Sequence, residues 1–182
     1  MTNRRFRAVS LISTLAVVAF PAALGAQARR GPSSATGWAP VAAGVHGGYD
    51  YTTTSYLVGA QMRIPVHPSG YLQVIPNGDV VFQPRLKEYL AGANLVVVSG
   101  GRRGGLYAGG GLTWRNTLRE GVRTTRRSPT IVVGAQSPTL FGAPFRTHVE
   151  VRWIREDTPL KPKLLTFGVN FPLWGRGAED RR

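Results

Sequence analysis

Apolar and polar residues alternate along most of this chain, and the clearest case lies near its C-terminus. From Leu164 to Trp174 the odd-numbered positions are Leu, Phe, Val, Phe and Leu, whereas Thr166, Gly168 and Asn170 lie between them. Successive side chains of a β-strand point to opposite faces. The segment therefore predicts a strand with one apolar face and one small or polar face.

Seven earlier segments show the same alternation, and glycine, proline or short polar runs separate them. The predicted strands are 41–52, 55–65, 71–83, 88–98, 106–115, 130–137, 145–155 and 164–174. Pro76 and Gly78 interrupt the third strand, which predicts a bulge or kink there. A long polar loop is predicted at 116–129. The pattern indicates an all-β domain of eight antiparallel strands.

The apolar face of such strands lies inside a soluble sheet structure but faces lipid in a membrane barrel. Aromatic residues near both ends of the strands favour the membrane barrel, because Tyr and Trp prefer the membrane–water interface. If both termini are periplasmic, the outer ends carry Tyr49, Tyr51, Tyr56, Phe82, Tyr89, Trp114 and Trp153. The inner ends carry Phe145, Phe171 and Trp174.

Charged residues and many glycines share the parity opposite to the apolar face. Eight strands leave an interior just wide enough for side chains, so small residues there offset long ones. A buried charge is costly unless it is paired or hydrated. We therefore predict an Arg–Asp/Glu network that plugs the lumen and comprises Asp50, Arg63, Asp79, Arg115, Arg146, His148, Glu150 and Arg152.

The N-terminal residues have the features of a secretory signal peptide. Three arginines within the first seven residues precede an apolar run at 9–20, and Ala26-Gln27-Ala28 offers a small-x-small cleavage site. The predicted organisation is a signal peptide at 1–28, a flexible leader at 29–40, an outer-membrane β-barrel at 41–174 and a basic tail at 175–182. The sequence has no cysteine, which excludes disulfides and thiolate metal sites.

The chain is strongly basic, with a formal net charge of +14. Removal of the signal peptide takes away three arginines and leaves 20 basic and 9 acidic residues, a net charge of +11. In an exported protein this charge favours acidic lipid headgroups or acidic polysaccharide over nucleic acid. Arginines of the predicted loop are candidates for contacts with lipopolysaccharide phosphates: Arg119, Arg123, Arg126 and Arg127. A disordered, solvated loop is the alternative.

Catalytic and metal-binding motifs are weak. His148 and Glu150 share a strand face, but a Ser–His–acid site also needs a hydroxyl within reach of the imidazole. The three histidines have no neighbouring ligand cluster, and the glycine-arginine run at 100–105 lacks the Lys-Ser/Thr of a phosphate loop. We therefore predict no catalytic residue, no cofactor and no metal.

Residues 41–174 resemble the small eight-stranded outer-membrane barrels of Gram-negative bacteria, the OmpA/OmpX-type group, in strand number, alternation, aromatic girdles and closing strand. The resemblance implies up-and-down topology, location in the outer membrane, periplasmic termini and insertion by the barrel-assembly machinery. We expect a monomeric, non-enzymatic protein with a structural or surface-interaction role among outer-membrane lipids. The alternatives are a lipid A-modifying enzyme that uses His148 and Glu150, and a soluble, lipocalin-like periplasmic barrel that binds an apolar ligand.

Overall fold

The computed structural model describes residues 38–83, 86–119, 122–138, 145–156 and 161–174. The predicted signal peptide and the basic tail lie outside these residues. The strands are β1 Val41–Asp50, β2 Ser55–Pro65, β3 Leu72–Gln83, β4 Leu86–Val98, β5 Gly105–Arg119, β6 Val122–Gln136, β7 Arg146–Ile154 and β8 Lys163–Trp174. A 3-10 turn, Gly101–Arg103, lies between β4 and β5.

The eight strands pair in chain order and close into a barrel. β8 returns to pair with β1, antiparallel, with Val45 opposite Val169. Closure leaves no edge along the paired strands. The predicted fold, an eight-stranded antiparallel up-and-down barrel, is confirmed. Among the described residues, no helix is long and apolar enough to cross a membrane.

The two ends of the barrel differ in what they carry. One end, the terminal rim, holds the start of β1, the end of β8 and the connections β2–β3, β4–β5 and β6–β7. The opposite end, the distal rim, holds the other four connections. At the terminal rim the backbone N–H groups of Ala39 and Arg102 donate to the carbonyls of Pro68 and Ser69, each at 3.1 Å. These bonds tie the chain before β1 and the β4–β5 turn to the β2–β3 turn.

Side-chain directions follow the predicted parity. On the closing strand Phe167 is 62% exposed, whereas Asn170 is 1% exposed because it points into the barrel. Two apolar clusters also lie inside, and the sequence analysis did not identify either. The distal cluster comprises Leu57, Val81, Leu90, Ile154 and Leu164. The cluster nearer the terminal rim comprises Ile75, Val96, Val98, Tyr107 and Val132.

Glycine makes room for large polar side chains in the interior. A Cβ at Gly168 would lie 2.6 Å from the Cβ of His46 and 2.7 Å from the Cε1 of His148, both closer than van der Waals contact permits. A Cβ at Gly59 would lie 2.7 Å from the His46 Nε2. Two imidazoles therefore fit across the lumen only because these positions have no side chain.

Aromatic side chains lie towards both rims on the outer face. At the distal rim Tyr49 stacks edge-on against Tyr51 and Tyr56, with ring centroids 5.2 and 5.4 Å apart. Phe145 and Phe171 lie 6.1 Å apart near the terminal rim. Trp38 and Tyr71 are further exposed aromatic residues at the terminal rim. The side chain of Trp174 lies outside the described part of the structure.

The predicted loop at 116–129 is wrong, because most of it is strand. β5 and β6 pair continuously from Gly105 opposite Gln136 to Arg119 opposite Val122, so the sixth strand begins at Val122 instead of Thr130. This hairpin has polar residues on both faces, as where Thr117 lies opposite Thr124. It has no apolar alternation to detect, although Thr and Val favour extended backbone.

A bulge or kink was predicted at Pro76 and Gly78; the bulge is wrong, and the kink stays a prediction. β3 is continuous, and Gln61 opposite Asn77 and Ile64 opposite Val74 share one register, with no residue inserted between them. Between these pairs, Met62 and Arg63 have no ladder partner on β3. Proline has no N–H to donate to the neighbouring strand. Pro76 therefore opens a gap in the ladder without shifting it.

Candidate functional site

The centre of the lumen contains an acidic side chain held by two basic ones. The guanidinium of Arg152 donates to both carboxylate oxygens of Asp79, Nη1 to Oδ2 at 2.8 Å and Nη2 to Oδ1 at 3.2 Å. The Nε2 of His46 lies 2.5 Å from the same Oδ1. Bidentate contacts between ionised groups are among the strongest hydrogen bonds in proteins. They join β1, β3 and β7 across the barrel.

A second carboxylate extends this cluster towards β2 and β5. The Nε of Arg152 lies 3.0 Å from Glu150 Oε1, an ion pair that lacks hydrogen-bond alignment. The Tyr107 hydroxyl donates to Glu150 Oε2 at 2.8 Å, and the Arg63 guanidinium lies 4.4 Å from the centroid of the Tyr107 ring. Two arginines and two carboxylates thus balance in charge at this level of the lumen.

His148 is held by amides. The Asn170 Nδ2 lies 2.9 Å from His148 Nδ1, and the Gln61 Nε2 lies 3.3 Å from His148 Nε2. Gln61 also donates to Asn170 Oδ1 at 3.0 Å. Both ring nitrogens therefore contact amide groups instead of the hydroxyl that a Ser–His–acid site requires.

A separate ionic cluster lies closer to the distal rim. Arg115 Nη1 donates to both oxygens of Glu156, at 3.0 and 3.1 Å, and its Nη2 donates to Glu88 Oε2 at 2.8 Å. Sequence analysis placed Arg115 in the lumen but missed both glutamates. Both glutamates have even numbers, as do the nearby inward-facing residues Leu90 and Ile154. This parity could have identified them as lumen residues from the sequence.

Two residues predicted for the lumen network have other surroundings. Asp50 is buried, but its carboxylate accepts from the Thr52 N–H at 2.8 Å and from the Thr53 hydroxyl at 2.7 Å, so it caps the β1–β2 turn. Arg146 is half-buried near the terminal rim, opposite Asn170 in the ladder. No hydrogen bond joins Arg146 to the described members of the network.

The predicted lipopolysaccharide-contact residues lie along the β5–β6 hairpin, not in a loop. Arg127 is exposed on the outer face, with its guanidinium 5.6 Å from the centroid of Trp114, and Arg123 Nε donates to Asn116 Oδ1 at 3.0 Å. Arg126 is exposed on the opposite face, across from Arg115. Arg119 ends β5, and its side chain lies outside the described part.

Metal binding has no support in the part of the chain that the structure describes. No three His, Asp or Glu side chains there lie close enough together to hold a metal ion. His46 is already engaged with Asp79, and His148 with amides. The described polar side chains of the interior therefore contact mainly one another, although His46 Nδ1 and the Nε and Nη2 of Arg63 are buried without a hydrogen bond.

A closed eight-stranded barrel with an apolar outer face, a polar interior and aromatic side chains near both rims has the architecture of a small outer-membrane β-barrel. Solved structures of this class are similar to it. One is the N-terminal β-barrel domain of Pseudomonas aeruginosa OprF, with a TM-score of 0.56, 14% identity and coverage of 76% of this chain and 100% of that chain. Another is Neisserial surface protein A, with a TM-score of 0.51, 12% identity and coverage of 76% and 100%.

At these identities the similarity concerns the fold. No protein-family model matches the sequence, and no curated protein matches it.

Proposed function

We propose that this chain is a non-enzymatic protein of the outer membrane that has a packed lumen and presents a basic surface to lipopolysaccharide. In this proposal the terminal rim faces the periplasm and the distal rim faces outwards. The observation that carries it is the outer face: exposed aliphatic and aromatic residues surround a closed barrel whose central charged groups, Asp79, Glu150 and Arg152, are buried inside. Contact with lipid stabilises such an apolar outer face, whereas contact with water does not.

Membrane fractionation with a heat-modifiability gel tests the location. A folded barrel in the outer membrane is expected in the membrane fraction, with a gel mobility that changes when the sample is boiled. Recovery in the soluble periplasm would reject the proposal in favour of a lipocalin-like barrel that binds an apolar ligand.

The packed lumen supports a structural role rather than solute passage. The Asp79–Arg152 cluster lies between the distal apolar cluster and the one nearer the terminal rim. A solute that entered would have to break buried ion pairs, which is costly in a low-dielectric interior. In a planar bilayer the purified protein is therefore expected to show no stable conductance steps. Regular steps of a fixed size would contradict a plugged lumen.

The lack of catalysis rests on the surroundings of His148. With both ring nitrogens against amides, it has no hydroxyl to activate. Cells that carry His148→Ala are expected to show the same lipid A species by mass spectrometry as cells that carry the wild type. A change in acylation or phosphorylation would support the lipid A-modifying enzyme.

The arginines of the β5–β6 hairpin support contact with lipopolysaccharide phosphates. Arg127 lies beside Trp114 at the distal rim, where a cation and an interfacial aromatic side chain meet the headgroup region. In a titration of nanodisc-held protein with purified lipopolysaccharide, Arg127→Gln is expected to bind about twofold to fivefold more weakly, the worth of one exposed charged contact. Arg103→Gln at the terminal rim is the matched control and is expected to bind like the wild type.

A further inference from the structure

A cleft of about 710 Å³ opens on the outer wall of the barrel near the distal rim, where β6, β7 and β8 meet. Its apolar part is formed by Ile131, Trp153 and Pro162. Ile131 pairs with Trp153, and Trp153 pairs with Lys163, so these three side chains lie in one row across three strands. The side chains of Ile131, Trp153 and Lys163 point outwards and are exposed, whereas Pro162 is buried.

Three cations border the same cleft. Arg155, Lys161 and Lys163 are exposed and have the outward parity of Trp153. The backbone bonds from Arg155 N–H to the Pro129 carbonyl at 2.8 Å and from Ile154 N–H to the Pro162 carbonyl at 3.0 Å continue the sheet one row beyond Trp153. The cations therefore lie at the apolar row and just beyond it, towards the distal rim.

Among the described residues that line the cleft, the one acidic side chain is turned away from these cations. Glu156 has the inward parity, is 6% exposed and accepts two hydrogen bonds from Arg115. Its charge is thus compensated on the lumen side. On the outer side the cleft combines three positive charges with an aromatic and aliphatic floor.

We propose that this cleft binds a phosphate group of lipid A, with the phosphate among Arg155, Lys161 and Lys163 and an adjoining acyl chain along Ile131 and Trp153. The inference rests on the proposed function, which places the distal rim in the outer leaflet. Phosphate oxygens accept charge-assisted hydrogen bonds from Lys and Arg. Trp153 suits the boundary between headgroup and chain. A soluble anion would use the cations but not the apolar row.

This cleft differs from the surface of Arg123 and Arg127 described above. Those arginines lie on the β5–β6 hairpin, four or more positions beyond Ile131, and neither borders the cleft. Replacement of each set therefore tests one surface at a time, and Arg103 at the terminal rim serves as the control for both.

The test uses full-length mature protein in phosphatidylcholine nanodiscs, with retained lipid counted by native mass spectrometry. The probes are bisphosphorylated lipid A and lipid A without its phosphates. The wild type is expected to retain bisphosphorylated lipid A at least about tenfold better than the dephosphorylated form. Lys161→Gln/Lys163→Gln is expected to lose about tenfold for the first probe, whereas Arg103→Gln at the terminal rim keeps this adduct.

Folding of each variant is checked by its heat-dependent gel mobility, which exposed Lys→Gln changes are not expected to alter. If Lys161→Gln/Lys163→Gln retains lipid A like the wild type, or if the dephosphorylated lipid binds equally well, the cleft proposal is overturned. In either case the outer-membrane proposal stands as long as the protein fractionates with the membrane. Recovery in the periplasm would overturn both.

Discussion

Arg152 is the residue on which the polar interior depends most. It is 1% exposed and contacts both Asp79 and Glu150. A buried ion pair contributes little net stability over an apolar pair, but removal of one partner leaves an uncompensated charge. The loss of a single carboxylate is therefore expected to lower the stability of the protein by more than the small net contribution of the pair would indicate.

Asp79→Asn is expected to lower the free energy of unfolding by about 3–5 kcal/mol, because Arg152 and His46 then lack their shared anion. Urea-induced unfolding in lipid vesicles measures this difference. Asp50→Asn is the control, since that carboxylate caps a turn, and a loss near 1 kcal/mol is expected there. Equal losses at the two positions would contradict the central place of Asp79.

Gly168→Ala is expected to destabilise the barrel by about 1–3 kcal/mol, because its Cβ would overlap the Val45 carbonyl oxygen, His46 and His148. Gly47→Ala is a matched control on β1: it faces outwards, and the nearest atom to its Cβ would be the Leu57 carbonyl oxygen at 3.8 Å. That change is expected to stay within about 0.5 kcal/mol. The temperature at which each folded gel form disappears compares them, and a reversed order would contradict the crowding of the lumen.

At the scale of the strands, the sequence predicts well wherever one face is apolar. The parity of β1, β2, β4, β7 and β8 follows from alternation, because lipid on one side and a narrow lumen on the other impose opposite demands. The distal half of β5–β6 could not be predicted in this way, since both faces meet polar surroundings. The partners of Arg115 could not be predicted from local sequence, because they meet it only when the barrel closes. Glu88 and Glu156 lie 27 and 41 positions away in the chain.

Hydrogen exchange tests the β5–β6 hairpin directly. Among the described residues, β6 pairs beyond Pro129 only with β5, so alternate backbone amides of the 122–128 segment are expected to be protected by the partner strand. Exchange there is expected to be at least about tenfold slower than in an unstructured peptide. Uniformly fast exchange would mean that this segment is a loop, as the sequence analysis predicted. Arg123 and Arg127 would then not be held in place by an ordered hairpin.

At the scale of the whole molecule, the interior is layered. The Arg115 cluster lies nearest the distal rim, followed by the distal apolar cluster, the Asp79–Arg152 cluster and the apolar cluster near the terminal rim. The general fold, with lipid-facing and inward faces, was predictable from the sequence. The layering was not, because Leu57, Val81 and Leu164 have the parity of the polar residues and depart from the alternation.

The Asp79–Arg152 pair also constrains how the barrel is made. Its partners are 73 positions apart in the chain and belong to β3 and β7, so no single hairpin can form it. Adjacent strands can associate early, but these charges meet only when the ring is nearly complete. Until then they require water, which makes a half-closed barrel in lipid a high-energy state.

Asp79→Asn is accordingly expected to accelerate unfolding more than it slows insertion into vesicles, because a late contact is absent from the transition state. Stopped-flow or gel-based time courses in both directions separate the two rates. A variant that inserts slowly yet unfolds at the wild-type rate would instead show that this pair has already formed in the transition state. The ion pair at the centre of the barrel is thus expected to be among the last contacts to form as the barrel closes.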